Sequence, residues 1–409
     1  MSTRTAAQQA APAPRPQELR GGAVPVRERP GHPAGAAPAA PLGPEEFRAA
    51  FPALERTTHL AGCGLAPRST ALDEALAQML EAMAAHGAPW HLFEERTAQA
   101  RERFAALVGA APEQIAVVPN ASVGAYQVAS TADWNHRPRL VTTPLEFPSL
   151  AHVWLAQRPR GAEVVFAGDA EDYPAAVDGR TRLVSVPMTG YQDALRMPVA
   201  DIAELAHAHG AELFVDAYQA AGVEPVDVDR LGCDYLVAGT SKYLLGLPGV
   251  AFLYARRPGA GALPPALTGW FGRRDPFAFD PRTLDFPESA RRFETGTPPV
   301  PACYAAAAGL ALVAGTDPAR VRAHVRTLTA AAAEALRAQG ERVREIPADR
   351  RGAHIGILDP RPARLAEALS RRGVAVSARG DVVRAAFHYY SNADDIASLC
   401  EALREHRSR

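Results

Sequence analysis

Short apolar segments alternate with helical stretches between residues 115 and 254, and this alternation limits the possible folds more than any other feature of the sequence. Seven segments are predicted to be strands: 115–118, 139–142, 163–166, 183–186, 212–215, 235–238 and 249–254. Parallel neighbouring strands need long crossover connections, which are usually helices, whereas antiparallel strands are joined by short turns. The alternation therefore predicts an α/β fold with a mainly parallel sheet that helices cover on both faces.

The segments that flank this region differ from it in composition. Residues 1–44 contain 9 of the 36 prolines and show no apolar periodicity, so we expect a disordered tail rich in Ala and Pro. Residues 45–300 are expected to form a large domain, and residues 301–409 a smaller C-terminal α+β domain. Apolar residues at helical spacing predict four long helices, at 71–85, 96–108, 302–314 and 318–339.

The charge balance and the cysteines exclude several classes of protein. The chain has 44 Lys+Arg against 45 Asp+Glu, which gives no electrostatic reason to expect nucleic acid or a membrane as a partner. No apolar run reaches the roughly 20 residues of a membrane span, and the N-terminus lacks the apolar core of a signal peptide. The four cysteines lie far apart without CxxC spacing, so neither a metal site nor a disulfide framework is predicted. We therefore expect a cytoplasmic enzyme.

Lys242 is the only lysine in the chain, so the other 43 basic residues are arginines. Arginine replaces lysine wherever only positive charge is needed, but its guanidinium stays protonated and cannot act as an amine nucleophile. Lys242 follows a predicted strand in the sequence GTSKYLLG. We predict a chemical role for this amine, and the alternative is a lysine that persisted by chance on the surface.

A carboxylate and an amide follow the neighbouring predicted strand, at Asp216 and Gln219. The carboxyl ends of parallel strands form the edge at which open α/β sheets bind ligands, so Asp216 and Lys242 are expected to lie close together. Pyridoxal phosphate needs such a pair, because lysine forms the Schiff base and an acid keeps the pyridine nitrogen protonated. The alternative is that Asp216 caps a helix and pairs with Lys242 as a salt bridge.

The run VDAYQAAGVEPVDVDRLGCDYLVAGTSKYLLGLPGVAFLY resembles the signature of the class V aminotransferase superfamily, within the fold type I pyridoxal-phosphate enzymes. That superfamily includes cysteine desulfurases, selenocysteine lyases, kynureninases and isopenicillin N epimerase-like proteins. The resemblance covers nearly all of residues 45–405. It implies a mainly parallel seven-stranded sheet, pyridoxal 5′-phosphate as the cofactor, Lys242 and Asp216 as catalytic residues, and cofactor contacts from Gln219, Thr240 and Ser241.

The same resemblance implies roles for residues at two other strand ends. Residues 120–122 follow a predicted strand and lead into a helix, where the family holds the cofactor phosphate; Ala121 would offer its backbone N–H and Ser122 its hydroxyl. The alternative there is an ordinary helix cap. Phe147 stands where family members place a ring over the cofactor, and the alternative is a core phenylalanine.

Two further segments match the family near the C-terminal part of the chain. Residues 292–298, RFETGTP, match the segment whose threonine reaches the phosphate of the neighbouring subunit, so Thr297 implies a homodimer with shared active sites. Arg384 matches the arginine that binds the α-carboxylate of a small amino-acid substrate by a planar two-point contact. Arg379 is a second candidate for this role, and a surface arginine is the alternative reading of Arg384.

The cysteines bear on the choice of reaction. Cysteine desulfurases need a persulfide-forming cysteine shortly before the carboxylate arginine, and residues 376–381 contain none; Cys400 falls in the terminal helix, and Cys63 and Cys303 belong to unrelated segments. We therefore expect a lyase without a persulfide cysteine, similar to kynureninases or selenocysteine lyases, that cleaves a C–S or C–C bond. An aminotransferase or an epimerase is the alternative, and a non-catalytic pyridoxal-phosphate-binding regulator is a further one.

Overall fold

The seven predicted strands form one sheet in the computed structural model, which describes residues 40–261 and 263–408. Numbered along the chain, the strands are β1 (Thr58–His59), β2 (Ile115–Val118), β3 (Arg139–Thr142), β4 (Glu163–Phe166), β5 (Thr181–Pro187), β6 (Glu212–Asp216), β7 (Tyr235–Gly239), β8 (Ala251–Ala255), β9 (His354–Leu358), β10 (Val374–Ala375), β11 (Ser377–Arg379) and β12 (Val382–Ala386). The helices are α1 (Pro44–Ala49), α2 (Thr70–His86), α3 (Trp90–Val108), α4 (Ala121–Ser130), α5 (Pro148–Leu155), α6 (Tyr173–Ala176), α7 (Val199–Ala208), α8 (Val228–Leu231), α9 (Val300–Ala314), α10 (Pro318–Ala338), α11 (Pro362–Ser370) and α12 (Ala393–Arg407).

The large sheet is mainly parallel, as predicted. Its strand order is β2-β8-β7-β6-β5-β3-β4, and only β8 runs antiparallel to its two neighbours. Each of the seven predicted strands is confirmed within two residues at either end. The boundaries of β2, β7 and β8 were readable because these strands are apolar runs buried along their whole length.

Both faces of this sheet are covered by helices, which confirms the α/β class. Successive strand residues point to opposite faces, so Leu213 and Val215 of β6 pack with α3, α7 and α9, whereas Phe214 packs with α4 and α5. Helix α3 begins at Trp90, six residues before its predicted start. Phe93 in this first turn packs edge-on against Tyr304 of α9, with ring centroids 6.2 Å apart, so a tertiary contact extends the helix.

A third apolar core joins the N-terminal segment to the C-terminal elements. Phe47 and Phe51 pack with residues of α10, β9, β12 and α12. Strands β11, β12 and β9 form a three-stranded antiparallel sheet, and β1 pairs with β10 in parallel. The C-terminal part is thus α+β, as predicted, and it includes a chain segment from the other end of the sequence.

The predicted boundaries at residues 44/45 and 300/301 stay predictions. The predicted disordered tail lies outside the described residues up to position 39, and Pro44 already begins α1. Residues from Pro41 onward form one compact unit. In the part of the chain that the structure describes, no single helix is long and apolar enough to cross a membrane, although α9 and α10, bent by 85°, reach that length and composition as a pair.

Candidate active site

Lys242 lies in the loop that joins β7 to β8. The loop is fixed at its start because the Thr240 hydroxyl donates a hydrogen bond to the Leu247 carbonyl at 2.9 Å. Asp216 ends the neighbouring parallel strand β6 and pairs with Val237 of β7. Lys242 and Asp216 therefore reach the same edge of the sheet, at the carboxyl ends of parallel strands.

A cavity of about 270 Å³ opens at this edge. Eight of the eleven predicted site residues line it: Ala121, Ser122, Phe147, Asp216, Gln219, Lys242, Arg379 and Arg384. The fold thus brings residues from both halves of the chain to one site. Their individual roles stay predictions.

The amine of Lys242 lies against two aromatic rings inside the cavity. Its Nζ is 4.3 Å from the centroid of the Tyr218 ring and 5.5 Å from that of Phe147. Burial lowers the pKa of Lys242 to about 8, although the nearby charge of Asp216 acts in the opposite direction. At pH 7 roughly a tenth of this amine is therefore unprotonated, far more than for an ordinary lysine, and the unprotonated amine is the nucleophile.

Asp216 shares its buried surroundings with a second carboxyl group, Glu146. Burial raises the pKa of Asp216, while the Tyr218 backbone N–H, 2.8 Å from Oδ1, and the charge of Lys242 lower it. The pKa of Glu146 is raised well above its usual range, by burial first and then by the negative charge of Asp216. The Ser185 hydroxyl hydrogen-bonds to Glu146 Oε2 at 2.9 Å. Glu146 is thus the neutral partner, and Asp216 is the carboxyl that retains its charge when a cation faces it.

The N-terminus of α4 forms another wall of the cavity. Asn120 caps this helix, since its side chain accepts a hydrogen bond from the Val123 N–H at 3.0 Å. The N–H groups of a first helical turn have no partner within the helix, and the helix dipole favours an anion beside them. Ala121 and Ser122 therefore offer the donors that the sequence predicted for a phosphate.

Arg384 is almost completely buried, with 1% of its surface exposed. Its Nε and Nη2 donate to the Ser377 hydroxyl at 3.2 and 2.9 Å, and its Nη1 donates to the Tyr191 carbonyl. Within residues 40–261 and 263–408 its hydrogen bonds reach no carboxylate. A buried charge normally has an ionic partner, so this guanidinium is suited to an anionic ligand in the cavity. Arg379 lies at the exposed end of β11 and lines the rim.

Three predicted site residues lie outside this cavity. Thr240 is fully buried, and its hydroxyl is already used within the loop. The Ser241 hydroxyl lies 3.2 Å from the hydroxyl of Tyr218, which does line the cavity. Thr297 is exposed in a separate cavity of about 340 Å³, which Arg101 and Glu294 also line. A single chain therefore does not bring Thr297 to Lys242, and its contact with a second subunit stays a prediction.

Cys63 lines the cavity that contains Lys242, so the prediction that it belongs to an unrelated segment is wrong. Its position follows from long-range pairing: Ala61 forms a parallel bridge with Ala386, the last residue of β12. No spacing or motif in the sequence links these two residues. Tyr218 also lines the cavity and was not predicted to do so. It lies within the segment that resembles the family signature, but the sequence does not indicate where its ring points.

The fold and the site define a pyridoxal-phosphate-dependent enzyme of fold type I. The model of the family described as aminotransferase class-V matches residues 73–399, and the chain belongs to this family. An uncharacterized aminotransferase of Bacillus subtilis, YcbU, is 36% identical over 364 residues, which cover 88% of this chain and 97% of that protein. A kynureninase of Pseudomonas fluorescens is 28% identical over 304 residues, which cover 71% and 72% of the two chains.

Solved structures support the same fold. The apo cysteine desulfurase of Thermococcus onnurineus superimposes with a TM-score of 0.80 at 20% identity, covering 90% of this chain and 99% of that one. The cysteine desulfurase CsdA of Escherichia coli gives the same TM-score and coverage at 22% identity.

The cofactor is pyridoxal 5′-phosphate, and the residues present fit it. Lys242 supplies the amine, and Asp216 supplies a carboxylate whose raised pKa the cationic ring nitrogen would lower. Gln219 is 5% exposed and donates its Nε2–H to the Cys63 carbonyl at 3.1 Å, while its Oε1 has no hydrogen-bond partner among the described residues. An unpaired buried amide oxygen is costly, so it marks a place where a bound group supplies the missing partner.

Proposed function

We propose that the chain is a pyridoxal-phosphate-dependent lyase that acts on an α-amino acid and breaks a C–S or C–C bond of its side chain. The observation that carries the proposal is that Lys242, Asp216 and Arg384 line one cavity, and that Arg384 has no acidic partner among the described residues. Such a cavity holds an amine, an acid and a carboxylate anchor, which together define an amino-acid substrate.

The residues have separate tasks in this proposal. Pyridoxal phosphate, when bound, supplies the electron sink for the electrons of the Cα–H bond of the substrate. Arg384 would hold the substrate carboxylate, and Phe147 would cover the cofactor ring. Lys242 would hold the cofactor through its amine and would move the substrate α-proton, since its pKa of about 8 lets the amine both accept and release a proton near neutral pH. Asp216 would supply the carboxylate for the ring nitrogen.

Two observations favour a lyase without a persulfide cysteine. Residues 376–381 contain no cysteine, although they precede the carboxylate arginine. Phe147 and Pro148, at the start of α5, resemble a Phe-Pro pair that kynureninases carry at this position, and this supports a kynureninase-like reaction, as does the 28% identity with a protein named kynureninase. The second candidate is an aminotransferase, which the name of the 36% identical relative favours.

Turnover without a 2-oxo acid tests this proposal. Purified holoenzyme is mixed with α-amino acids that carry a leaving group on the β-carbon or a carbonyl on the γ-carbon. Elimination is measured as released keto acid, ammonia and sulfide, and C–C cleavage as alanine formed together with the side-chain fragment. A lyase turns over many times with the amino acid alone. Product that stops at one equivalent per site until a 2-oxo acid is added would establish the aminotransferase instead. The Lys242→Ala variant is the control for uncatalysed release.

We also propose that the enzyme is a homodimer in which Thr297 reaches the active site of the other subunit. The support is an aromatic group beside the Thr297 cavity: Trp270 packs on Phe277 and Phe279, whose exposed fractions are 49% and 70%. Exposed apolar clusters of this kind mark interaction surfaces. Sedimentation gives the oligomeric state, and co-expression of Lys242→Ala with Thr297→Ala tests the shared site, because a mixed dimer retains one intact site. A cytoplasmic location stays a prediction.

A further inference from the structure

Cys63 is held in the cavity by three separate parts of the chain. The Leu60 N–H donates to the Ala375 carbonyl of β10, and the Ala66 N–H donates to the Ser241 carbonyl beside Lys242, both at 2.8 Å. The Gln219 side chain donates to the Cys63 carbonyl. These bonds fix the backbone on both sides of Cys63, so its side chain has a defined direction.

The hydroxyl of Ser377 connects the Cys63 thiol to Arg384. The Cys63 Sγ and the Ser377 Oγ lie 3.3 Å apart. The same Oγ accepts two N–H bonds from Arg384. Because this oxygen already acts as an acceptor, the arrangement favours the Ser377 hydroxyl as the donor and the Cys63 sulfur as the acceptor. The Cys63 thiol thus orients the Ser377 hydroxyl, and the Ser377 hydroxyl in turn orients the guanidinium of Arg384.

One observation independent of the cysteine indicates that an anion binds here: Arg384 is buried without an acidic partner among the described residues, and it lines the same cavity. Arg384 still has N–H groups available, because its three protein bonds use only three of five donors. The available donors match a carboxylate.

We propose that Cys63 is a positioning residue of the carboxylate subsite: its sulfur fixes Ser377, Ser377 fixes Arg384, and the thiol faces the part of the cavity where a ligand carboxylate binds. This inference rests on the amino-acid substrate proposed above, but it does not depend on whether the enzyme is a lyase or an aminotransferase. It assigns Cys63 no sulfur transfer and no bond to the substrate.

Alkylation of the holoenzyme tests where the thiol points. Iodoacetate carries a carboxylate that Arg384 can hold, whereas iodoacetamide is neutral and of similar size. The Cys63 sulfur displaces iodide from the reagent's methylene carbon: a C–S bond forms, the C–I bond breaks, and the thiol proton goes to buffer. Because binding places the reagent beside the thiol, we expect iodoacetate to label Cys63 about fivefold faster or more. Mass spectrometry compares the labelling rate of Cys63 with those of Cys233, Cys303 and Cys400 in the same sample.

The preference must also depend on the guanidinium. In an Arg384→Met variant whose thermal unfolding matches the wild type, or in Arg384→Gln if the first is destabilised, iodoacetate is expected to lose its advantage because the positive charge is gone. Equal labelling by both reagents in the wild type, no labelling of Cys63 by either one, or an unchanged preference in the variant would each overturn the proposal.

A binding comparison tests the positioning role separately. Holoenzyme is titrated with L-alanine and with L-alaninamide, which lacks the carboxylate, and the cofactor absorbance is followed. We expect Cys63→Ala to weaken alanine binding about fivefold, the factor that one hydrogen bond represents, and to leave alaninamide unchanged. Cys63→Ser keeps an acceptor and is expected to restore part of the loss, and Cys400→Ala is the matched control. An equal effect on both ligands would mean that Cys63 is only a packing residue.

The binding experiment separates this inference from the proposed function. If the wild type itself does not distinguish alanine from alaninamide, the carboxylate site at Arg384 is wrong, and the proposed substrate class fails. If the wild type distinguishes them and Cys63→Ala does so equally well, only the role of Cys63 fails.

Discussion

The Tyr218 ring fills the space that a side chain at Gly239 would need, at the edge of the large sheet. A Cβ atom added to Gly239 would lie 2.0 Å from the Tyr218 hydroxyl oxygen and 2.1 Å from its Cζ. Gly239 ends β7 without a positive φ, so its backbone does not require glycine. The glycine is needed because the tyrosine ring lies where a side chain would be, next to the amine of Lys242.

The first prediction follows from this pair. Gly239→Ala is expected to destabilise the protein by about 1 to 3 kcal/mol, since an extra methyl group in a filled space forces side chains and backbone to move. The double variant Gly239→Ala/Tyr218→Ala is expected to be more stable than the sum of the two single changes predicts. Urea unfolding of the four proteins measures this coupling. Additive effects would show that the two side chains do not compete.

The sequence predicted the parts of this site that depend on neighbouring elements. Asp216 and Lys242 follow adjacent parallel strands, so the edge they share could be inferred from strand order alone. Cys63 could not be inferred in this way, because it reaches the site through the two-residue strand β1 and a single bridge to β12. Such short pairings have almost no periodicity, and they form only because the apolar side chains of the N-terminal segment pack in the C-terminal core.

The fold followed the same rule. Most strands of the large sheet were predictable because they are short runs of apolar residues, and in β2, β7 and β8 every position is buried. The early start of α3 was not, since it depends on the contact between Phe93 and Tyr304, more than 200 residues away in sequence. Local patterns therefore indicate elements that the core buries directly, and they miss extensions that a distant partner stabilises.

A second prediction concerns the pH dependence of cofactor capture. Because the pKa of Lys242 is lowered to about 8, the rate at which apoprotein binds pyridoxal phosphate is expected to rise with pH through this value, as the amine loses its proton. The charge of Asp216 raises this pKa, so Asp216→Asn should move the midpoint to lower pH. Stopped-flow absorbance measures the rates, and Glu81→Gln, on the exposed side of α2, is the control. A midpoint shifted to higher pH would contradict the assigned interaction.

A third prediction concerns the buried carboxyl of Glu146. Its pKa is raised above the unfolded value, so the folded apoprotein holds this proton more tightly than the unfolded chain does. The contribution to the unfolding free energy is therefore full below the unfolded pKa and is lost as pH rises through the folded pKa. Glu146→Gln cannot ionise, so it is expected to be less destabilised at alkaline pH than the wild type, by about 1 kcal/mol or more.

Chemical unfolding at pH 6 and pH 9 measures this difference. The matched control is Glu171→Gln, because Glu171 is an exposed carboxylate on the surface. If the wild type and Glu146→Gln lose equal stability between the two pH values, Glu146 does not hold a proton in the folded protein.

The last prediction separates the two arginines proposed for the substrate carboxylate. Arg384 is fixed by Ser377 and Tyr191 and directs its planar group into the cavity, whereas Arg379 lies at an exposed strand end. Lysine keeps the charge of arginine but not its two-point geometry, so Arg384→Lys is expected to lower kcat/KM by roughly 10- to 100-fold. Arg379→Lys should change kcat/KM by less than about threefold, because exposed charge pairs contribute little. The loss in Arg384→Lys should appear mainly in KM for amino acids and be absent for their amides. A larger loss in Arg379→Lys than in Arg384→Lys would move the carboxylate site to the rim of the cavity.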